Sequence, residues 1–389
     1  MFVNLRRIHK IQIARLLTTA LVLCVVMVCW EDLDHHVVSH VRSYSYRYLV
    51  NNYNFLNSTY TLDTDGHRRS IGNSLDSSSP LYPYLISQSD KCDSSDDVLL
   101  LLFVKSAPQN FDRRNNIRET WGNEDYIRQK LNANVKVVFV LGVHPDISER
   151  KQSQRLVESE NRIHKDIIQQ NFMDTFHNLT TKLIMQFDWA AKYCAKAKFV
   201  MSADDDIFVH MPNMVRYLNG LEEKHVENFW VGHVHRGAPP IRRKESKYYV
   251  SVELYPWPCY PDYTAGAGYV VSGDVAAKIH QAMQILNSSM YIDDVFMGIC
   301  AQAVGVSPQD YVFFSGEAIT RYHPCIYAEM ITSHGHADDV KELWKEATDP
   351  EVEEMTKGFL SSLYCTTVKA ALLCLPHHRD TYGCLGALT

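Results

Sequence analysis

Two short acidic runs set in apolar sequence carry the chemistry this chain can do. Asp204-Asp205-Asp206 follows Phe199-Val200-Met201 and precedes Ile207-Phe208-Val209, while Asp293-Asp294 lies between Ile292 and Val295-Phe296-Met297-Gly298. Ionised carboxylates are costly to bury, and neighbouring ones repel, so a triplet inside a strand-like run points to a shared divalent cation that prefers hard oxygen ligands. A solvated turn is the alternative reading of an acidic triplet. Turns, however, carry several Gly, Pro, Asn or Ser neighbours, and here, Ser202 apart, the flanking runs are apolar. A second acidic pair in the same setting weakens the case for accident.

The elements that must position these acids follow from hydrophobic pattern. Val98 to Val104 is a continuous apolar run of strand length, and Val135 to Leu141, ending at Gly142, is a second broken only by Lys136. Runs apolar on both faces predict buried parallel strands covered by helices. Leu183, Ile184, Phe187, Ala191 and Cys194 recur at helical spacing, as do Met214, Val215, Leu218 and Leu221. A third strand, Phe199 to Met201, delivers the triplet. Strands alternating with helices predict an α/β sheet, whose ligands bind beyond the carboxyl ends of the strands. Farther on, Tyr260 to Tyr269 mixes aromatics with Gly266 and Gly268 ahead of Val270-Val271. The glycines permit close approach by a ligand or another backbone, and rings such as Tyr263 offer faces to a sugar. An ordinary turn before a strand is the competing reading. From Leu343 onward the sequence shows helical and Cys-containing segments without identifiable chemistry, and the chain has no internal repeat.

At 389 residues, 46% hydrophobic and 11% aromatic, the chain has ample core for one large or two ordinary domains. Its formal charge of −6 and lack of a basic stripe argue against nucleic-acid binding; the basic run Arg242-Arg243-Lys244 reads as a solvated loop. Four segments are expected: a cytoplasmic tail over 1–10, a transmembrane signal anchor over 11–30, a stem over 31–90 and a catalytic body over 91–389. The anchor is uncharged from Leu16 to Trp30, with Arg6, Arg7, Lys10 and Arg15 before it and Glu31, Asp32 and Asp34 after it. Basic residues stay cytoplasmic, so the body is expected on the lumenal side. The span approaches the usual length of about 20 residues only if Arg15 snorkels. A cleaved signal peptide is the rival reading, but Val28-Cys29-Trp30-Glu31 offers no small-x-small cleavage site. Asn57, Asn178 and Asn287 head N-glycosylation sequons. Cys92, Cys194, Cys259, Cys300, Cys325, Cys365, Cys374 and Cys384 lack zinc-site spacing and are expected as disulfide partners in an oxidising lumen.

Several pieces read together as a family pattern. Ile117-Arg118-Glu119-Thr120-Trp121, Phe139-Val140-Leu141-Gly142, Asp174-Thr175-Phe176-His177-Asn178-Leu179-Thr180-Thr181-Lys182, the Asp204 triplet, the Tyr260 to Tyr269 segment and Asp293-Asp294-Val295-Phe296-Met297-Gly298 occur in this order. From about Val98 to Trp344 the chain resembles the β1,3-glycosyltransferase family of galactosyl- and N-acetylglucosaminyltransferases. The resemblance implies a GT-A-type nucleotide-sugar-binding mixed sheet flanked by helices, behind a single N-terminal transmembrane helix and stem, in a single-pass type II protein of the Golgi membrane. It further implies a UDP-N-acetylglucosamine donor, Mn²⁺ or Mg²⁺, and a glycolipid or glycan acceptor ending in galactose, lactosylceramide among them. A homodimer is compatible with it. Galactosyl transfer and a catalytically silent glycan-binding member are the alternatives. Ser202-Ala203 ahead of the triplet and Asp293 depart from residues common in the family. A metal-dependent phosphatase is a weaker reading, since Ile207 and Phe208 follow Asp206 where that chemistry expects Thr or Val.

If an α-linked donor yields a β-linked product, a single in-line displacement suffices and one base must take the acceptor proton. That base is assigned to Asp294, with Asp293 orienting it or binding acceptor hydroxyls. Asp206 is the leading metal ligand, Asp204 and Asp205 binding ribose or ordering the ion's waters. His334 in Ser333-His334-Gly335-His336 is a further candidate ligand, with a solvated histidine as its alternative. Arg114 and Arg118 suit bidentate contacts to the nucleotide or its phosphates, although Arg118 equally suits a structural pairing with Glu119 or Asp112. Trp121 is expected in the core. At Asn178 the family motif and a sequon overlap, leaving structural and glycosylated readings open.

Overall fold

Each apolar run read as a strand forms one. The structure, a computed structural model, describes residues 12, 15–20, 22, 38–52, 82–92, 97–286, 288–316 and 323–374. The strands are β1 Tyr84–Ile86, β2 Leu100–Lys105, β3 Val135–Val143, β4 Ile167–Met173, β5 Phe199–Asp204, β6 Ile207–Val209, β7 Trp230–His235, β8 Tyr263–Ser272, β9 Gln309–Asp310 and β10 Thr332–His334. The helices are α1 Ser39–Asn52, α2 Phe111–Glu119, α3 Glu124–Lys130, α4 Ile147–His164, α5 Leu179–Tyr193, α6 Met211–Glu222, α7 Gly273–Ile285, α8 Asp293–Ala303, α9 Pro324–Tyr327, α10 Val340–Ala347, α11 Pro350–Met355 and α12 Phe359–Leu373.

Eight strands form one sheet in the order β1-β4-β3-β2-β5-β8-β7-β9, and β10 pairs with β6 in a separate ribbon. The four central strands β4, β3, β2 and β5 run parallel, as expected for β2, β3 and β5; β4 is a parallel strand that the sequence reading did not include. β8 is antiparallel to both β5 and β7, so the sheet is mixed. β2 is buried along its whole length and aligns residue for residue with β5, placing Lys105 opposite Asp204. Trp121 is fully buried in the core.

Three boundaries differ from the sequence reading. The sheet begins before residue 91, because Tyr84 and Ile86 pair with β4. The third strand continues past Met201 to Asp204, so the first acid belongs to the strand itself. Tyr263 to Tyr269 is already strand β8, which removes the turn before Val270 kept as the competing reading. Helix α8 packs tightly on that strand at Gly298, where an added Cβ would lie 2.9 Å from the Cβ of Tyr263. Only glycine allows that approach.

The chain divides into two compact units, one comprising Met1–Thr61 with Gly237–Tyr260, the other Leu62–Arg236 with Pro261–Thr389. In the first, helix α1 falls within the stretch expected as stem, where no sustained apolar period announces it. There the Arg242 guanidinium donates to the carbonyls of Val250, Ser251, Tyr255 and Trp257, so the run read as a solvated loop is partly knitted to its own backbone. In the second, disulfides join Cys92 to Cys194 and Cys325 to Cys365, and Cys374 is also disulfide-bonded. Cys259 and Cys300 are buried thiols, which corrects the expectation that every lumenal cysteine is bridged. Most of the 11–30 run, Asn57, Asn287 and Cys384 lie outside the described residues. Among the described residues, no helix is long and apolar enough to cross a membrane.

Candidate active site

The site forms where β2 and β5 end, and its centre is a lysine absent from the expected constellation. Lys105 is the last residue of β2, and its ammonium is buried, with the side chain 5% exposed. It lies 2.8 Å from Asp293 Oδ2, 3.1 Å from Asp204 Oδ1 and 3.0 Å from the Gly266 carbonyl. One cation therefore ties the strand-borne triplet to the helix-borne pair. Burial opposes its charge, but Asp204 and Asp293 outweigh that cost and hold the ammonium's pKa well above the ordinary lysine value.

Asp294 sits in the first turn of α8, half-buried, with Oδ1 accepting from the Val295 backbone N–H at 2.7 Å. Burial, reinforced by the negative charge of Asp293 and tempered by Lys105, pushes its carboxyl up to about 7. Gly266 leaves room above it, since an added Cβ there would stand 3.5 Å from the Asp294 Cβ and 3.6 Å from Lys105 Nζ. A carboxylate poised near neutrality is what a general base needs. Asp204 is raised as well, to about 6, chiefly by burial.

The three acids of the triplet have three different settings. Asp205 accepts from Ser106 Oγ at 2.7 Å, Asn110 Nδ2 at 2.8 Å and Arg113 Nη1 at 2.9 Å, so both its oxygens are engaged by protein donors. Its place is a structural cradle, which revises its expected part around the ion. Asp206 has one carboxylate oxygen, Oδ1, buried without a hydrogen-bond partner, and His334 Nε2 stands 3.6 Å from that atom. This separation is beyond a hydrogen bond. His334 nevertheless holds the Asp206 carboxyl below its usual range. Pairing of β10 with β6 sets His334 opposite Ile207, and the His336 backbone N–H donates to the Asp206 carbonyl at 2.7 Å. The buried His336 ring contacts Ser333 Oγ at 2.7 Å and Asp339 at 3.0 Å, which fixes the turn carrying His334.

Among the described residues, no cluster of three or more His, Cys, Asp or Glu is arranged to hold a metal unaided. Asp206 and His334 nevertheless fit a divalent ion that draws its other ligands from a bound diphosphate: an orphaned carboxylate oxygen faces an imidazole nitrogen.

The expected arginines are placed otherwise. Arg114 is fully buried, donating to Glu160 at 2.6 and 2.8 Å and to Ser106 Oγ and the Ala107 carbonyl. Arg118 donates to Asp166 at 2.7 Å and Glu160 at 2.7 Å, so the structural role kept open for it holds with partners other than Glu119 or Asp112. Both guanidiniums are held by the framework, which corrects their assignment to the nucleotide. The neighbouring Arg113, 38% exposed, reaches the site through Asp205.

Asp174 and Lys182 of the family motif support the site from behind. Lys182 Nζ lies 2.7 Å from Asp174 Oδ1 and 2.7 Å from the Ser106 carbonyl, and Asp174 Oδ2 accepts from the Gly142 N–H. Ser106 thus joins this ion pair, the Arg114–Glu160 pair and Asp205. Asn178 donates its amide to the Met173 carbonyl at 2.9 Å and to Thr175 Oγ1 at 3.3 Å, a structural use of both amide hydrogens. Tyr263 packs over Gly298 in α8, one turn beyond Asp294. Gly268 instead faces Ile207, Thr332 and Met201, an apolar packing position.

Sequence reasoning missed Lys105, Ser106 and Arg113. The signal for Lys105 was a lone cation closing an otherwise apolar strand.

The galactosyltransferase family pattern matches residues 112–312. Over 389 residues the chain is 58% identical to zebrafish (Danio rerio) lactosylceramide 1,3-N-acetyl-beta-D-glucosaminyltransferase A, covering 100% of each. It is 56% identical over 387 residues to the human (Homo sapiens) lactosylceramide 1,3-N-acetyl-beta-D-glucosaminyltransferase, covering 100% of this chain and 99% of the relative. It is 54% identical to the Xenopus tropicalis protein of that name over 387 residues, covering 100% of both.

Proposed function

The chain belongs to the galactosyltransferase family, and from that premise we propose that it transfers N-acetylglucosamine from UDP-N-acetylglucosamine to the 3-hydroxyl of a terminal galactose, with lactosylceramide as acceptor. The observation that carries this reading is the Lys105 bridge, which brings Asp204 and Asp293 to one ammonium and so makes one centre of both acidic runs.

Asp294 takes the proton from the attacking hydroxyl, a contribution on the order of 10² to 10⁴ in rate. Asp293, held by Lys105, keeps the first turn of α8 in place and leaves Asp294 the sole carboxylate of the pair without an ion-pair partner in the site. Asp206 and His334 would hold Mn²⁺ or Mg²⁺, which when bound offsets the charge growing on the departing diphosphate. Arg113 takes the phosphate-facing role first expected of Arg114 and Arg118, because its guanidinium is more exposed than theirs, 38% against 0% and 11%. Tyr263 offers the galactose ring a face one helical turn from the base. The basic flank of the 11–30 run and the disulfides support a single-pass type II protein with its catalytic unit in the lumen of the Golgi.

The experiment is to give the purified protein lactosylceramide, Mn²⁺ and either UDP-N-acetylglucosamine or UDP-galactose, then sequence the product glycan. A β1,3-linked N-acetylglucosamine on galactose is expected. Transfer of galactose, or of neither sugar, would overturn the assignment.

A further inference from the structure

The Asp174 to Lys182 motif contains two rings that the reaction described above leaves without a role. Phe176 and His177 stand in a short 3-10 helix, Phe176–Asn178, at the start of α5, and both meet Tyr291, which lies just ahead of the Ile292 cap of α8. The ring centroids are 5.9 Å apart for Phe176 and His177, 6.2 Å for Phe176 and Tyr291, and 4.8 Å for His177 and Tyr291, each pair close to edge-on. His177 is exposed and the other two are half-buried. The cluster is held rigidly at both ends: Thr180 Oγ1 donates to the Met290 carbonyl, and Asn178 donates to the backbone at Met173. Edge-on rings in this range interact favourably and keep one another oriented.

We propose that Phe176, His177 and Tyr291 form an acceptor subsite for the sugar that precedes the reacting galactose, the glucose of a lactose unit. This rests on the transferase reading above. Tyr291 lies three positions before Asp294, a reach of at most about 10 Å, so the cluster borders the base without occupying the place of the sugar being modified. Tyr263 packs over Gly298, on the other side of the base in sequence, in the turn that follows Asp294. A β-linked disaccharide with its 3-hydroxyl at Asp294 must run outward from the base, and a sugar ring carries C–H faces that lie flat on aromatic rings. His177 and Tyr291 add polar edges able to hydrogen-bond hydroxyl groups. The subsite thus distinguishes a disaccharide acceptor from a lone galactoside.

The test compares wild type, Tyr291→Ala and the exposed-site variant His177→Ala on a β-lactoside and on methyl β-galactoside, with UDP-N-acetylglucosamine as donor and thermal unfolding as a check on folding. The expected result is a KM for the lactoside raised about tenfold, with the KM for donor and for the galactoside within error of wild type. An equal rise on both acceptors, or no rise on either in folded variants, overturns the subsite while leaving the transferase reading intact. Should Tyr291→Ala not fold, His177→Ala alone decides. Absence of transfer by wild type to either acceptor would sink both.

Discussion

At the scale of residues, the account turns on how Lys105 sets the charge of the acids around it. The base proposed at Asp294 acts only when deprotonated, and that carboxyl is raised to about 7, so kcat/KM should climb with pH through neutrality and level off above it. Lys105 is the largest of the influences that lower the pKa of Asp294 against burial and the charge of Asp293, ahead of backbone hydrogen bonds from Val295 and Gly266. Lys105→Met therefore should move that rising limb to higher pH, and Lys105→Arg should largely restore it, as read from pH–rate profiles of folded protein. A limb that stays in place in Lys105→Met would show that the ammonium has no hold on the base. The acids themselves were legible because carboxylates inside apolar runs are expensive and demand an explanation. Lys105 was not, because a cation at a strand end ordinarily reaches solvent; only the register that faces it with Asp204 reveals its task. Arg114 and Arg118 misled for a related reason. Guanidinium chemistry suits a phosphate and a buried carboxylate equally, and Glu160 and Asp166, far along the chain, decide between them.

At the scale of elements, the ends of β2, β3 and β4 and the start of α5 are fastened by the Asp174–Lys182 pair, whose side chains are 7% and 4% exposed. Removing one partner of a buried pair strands the other charge. Lys182→Met should destabilise the protein by roughly 3 to 5 kcal/mol, seen as a lower midpoint in chemical denaturation, and should also lower transfer because Ser106 loses an anchor. A stability unchanged within error would remove the pair from its supporting role. Strands β2, β3 and β5 were readable since two-sided burial leaves apolar runs, whereas β4 carries Gln169, Gln170 and Asn171 and gave no such run. Strand β8 was harder to see, because Tyr260 to Tyr269 admitted a turn as well as close approach at Gly266 and Gly268; in the structure one clears space beside Asp294 and the other makes way for Ile207. Helix α1 and strand β1 are short or weakly patterned, and pairing with β4, a contact remote in sequence, is what makes β1 a strand.

At the scale of the whole molecule, two acidic runs distant in the chain become one centre because β5 lies beside β2 and α8 follows from the antiparallel return through β8. The disulfide between Cys92 and Cys194, 102 residues apart, closes most of the parallel half of the sheet and is worth roughly 4 to 5 kcal/mol in a chain-entropy picture. Its pairing could not be read from spacing, since connectivity follows from the fold. The proposed division of labour across the centre, donor held on the β5 side and proton taken on the α8 side, is tested most directly by one variant. Titration of UDP-N-acetylglucosamine with Mn²⁺ into Asp294→Asn, alongside its turnover on lactosylceramide, should show donor affinity within about twofold of wild type and transfer reduced by about 10² to 10⁴. Turnover at the wild-type rate would contradict the account.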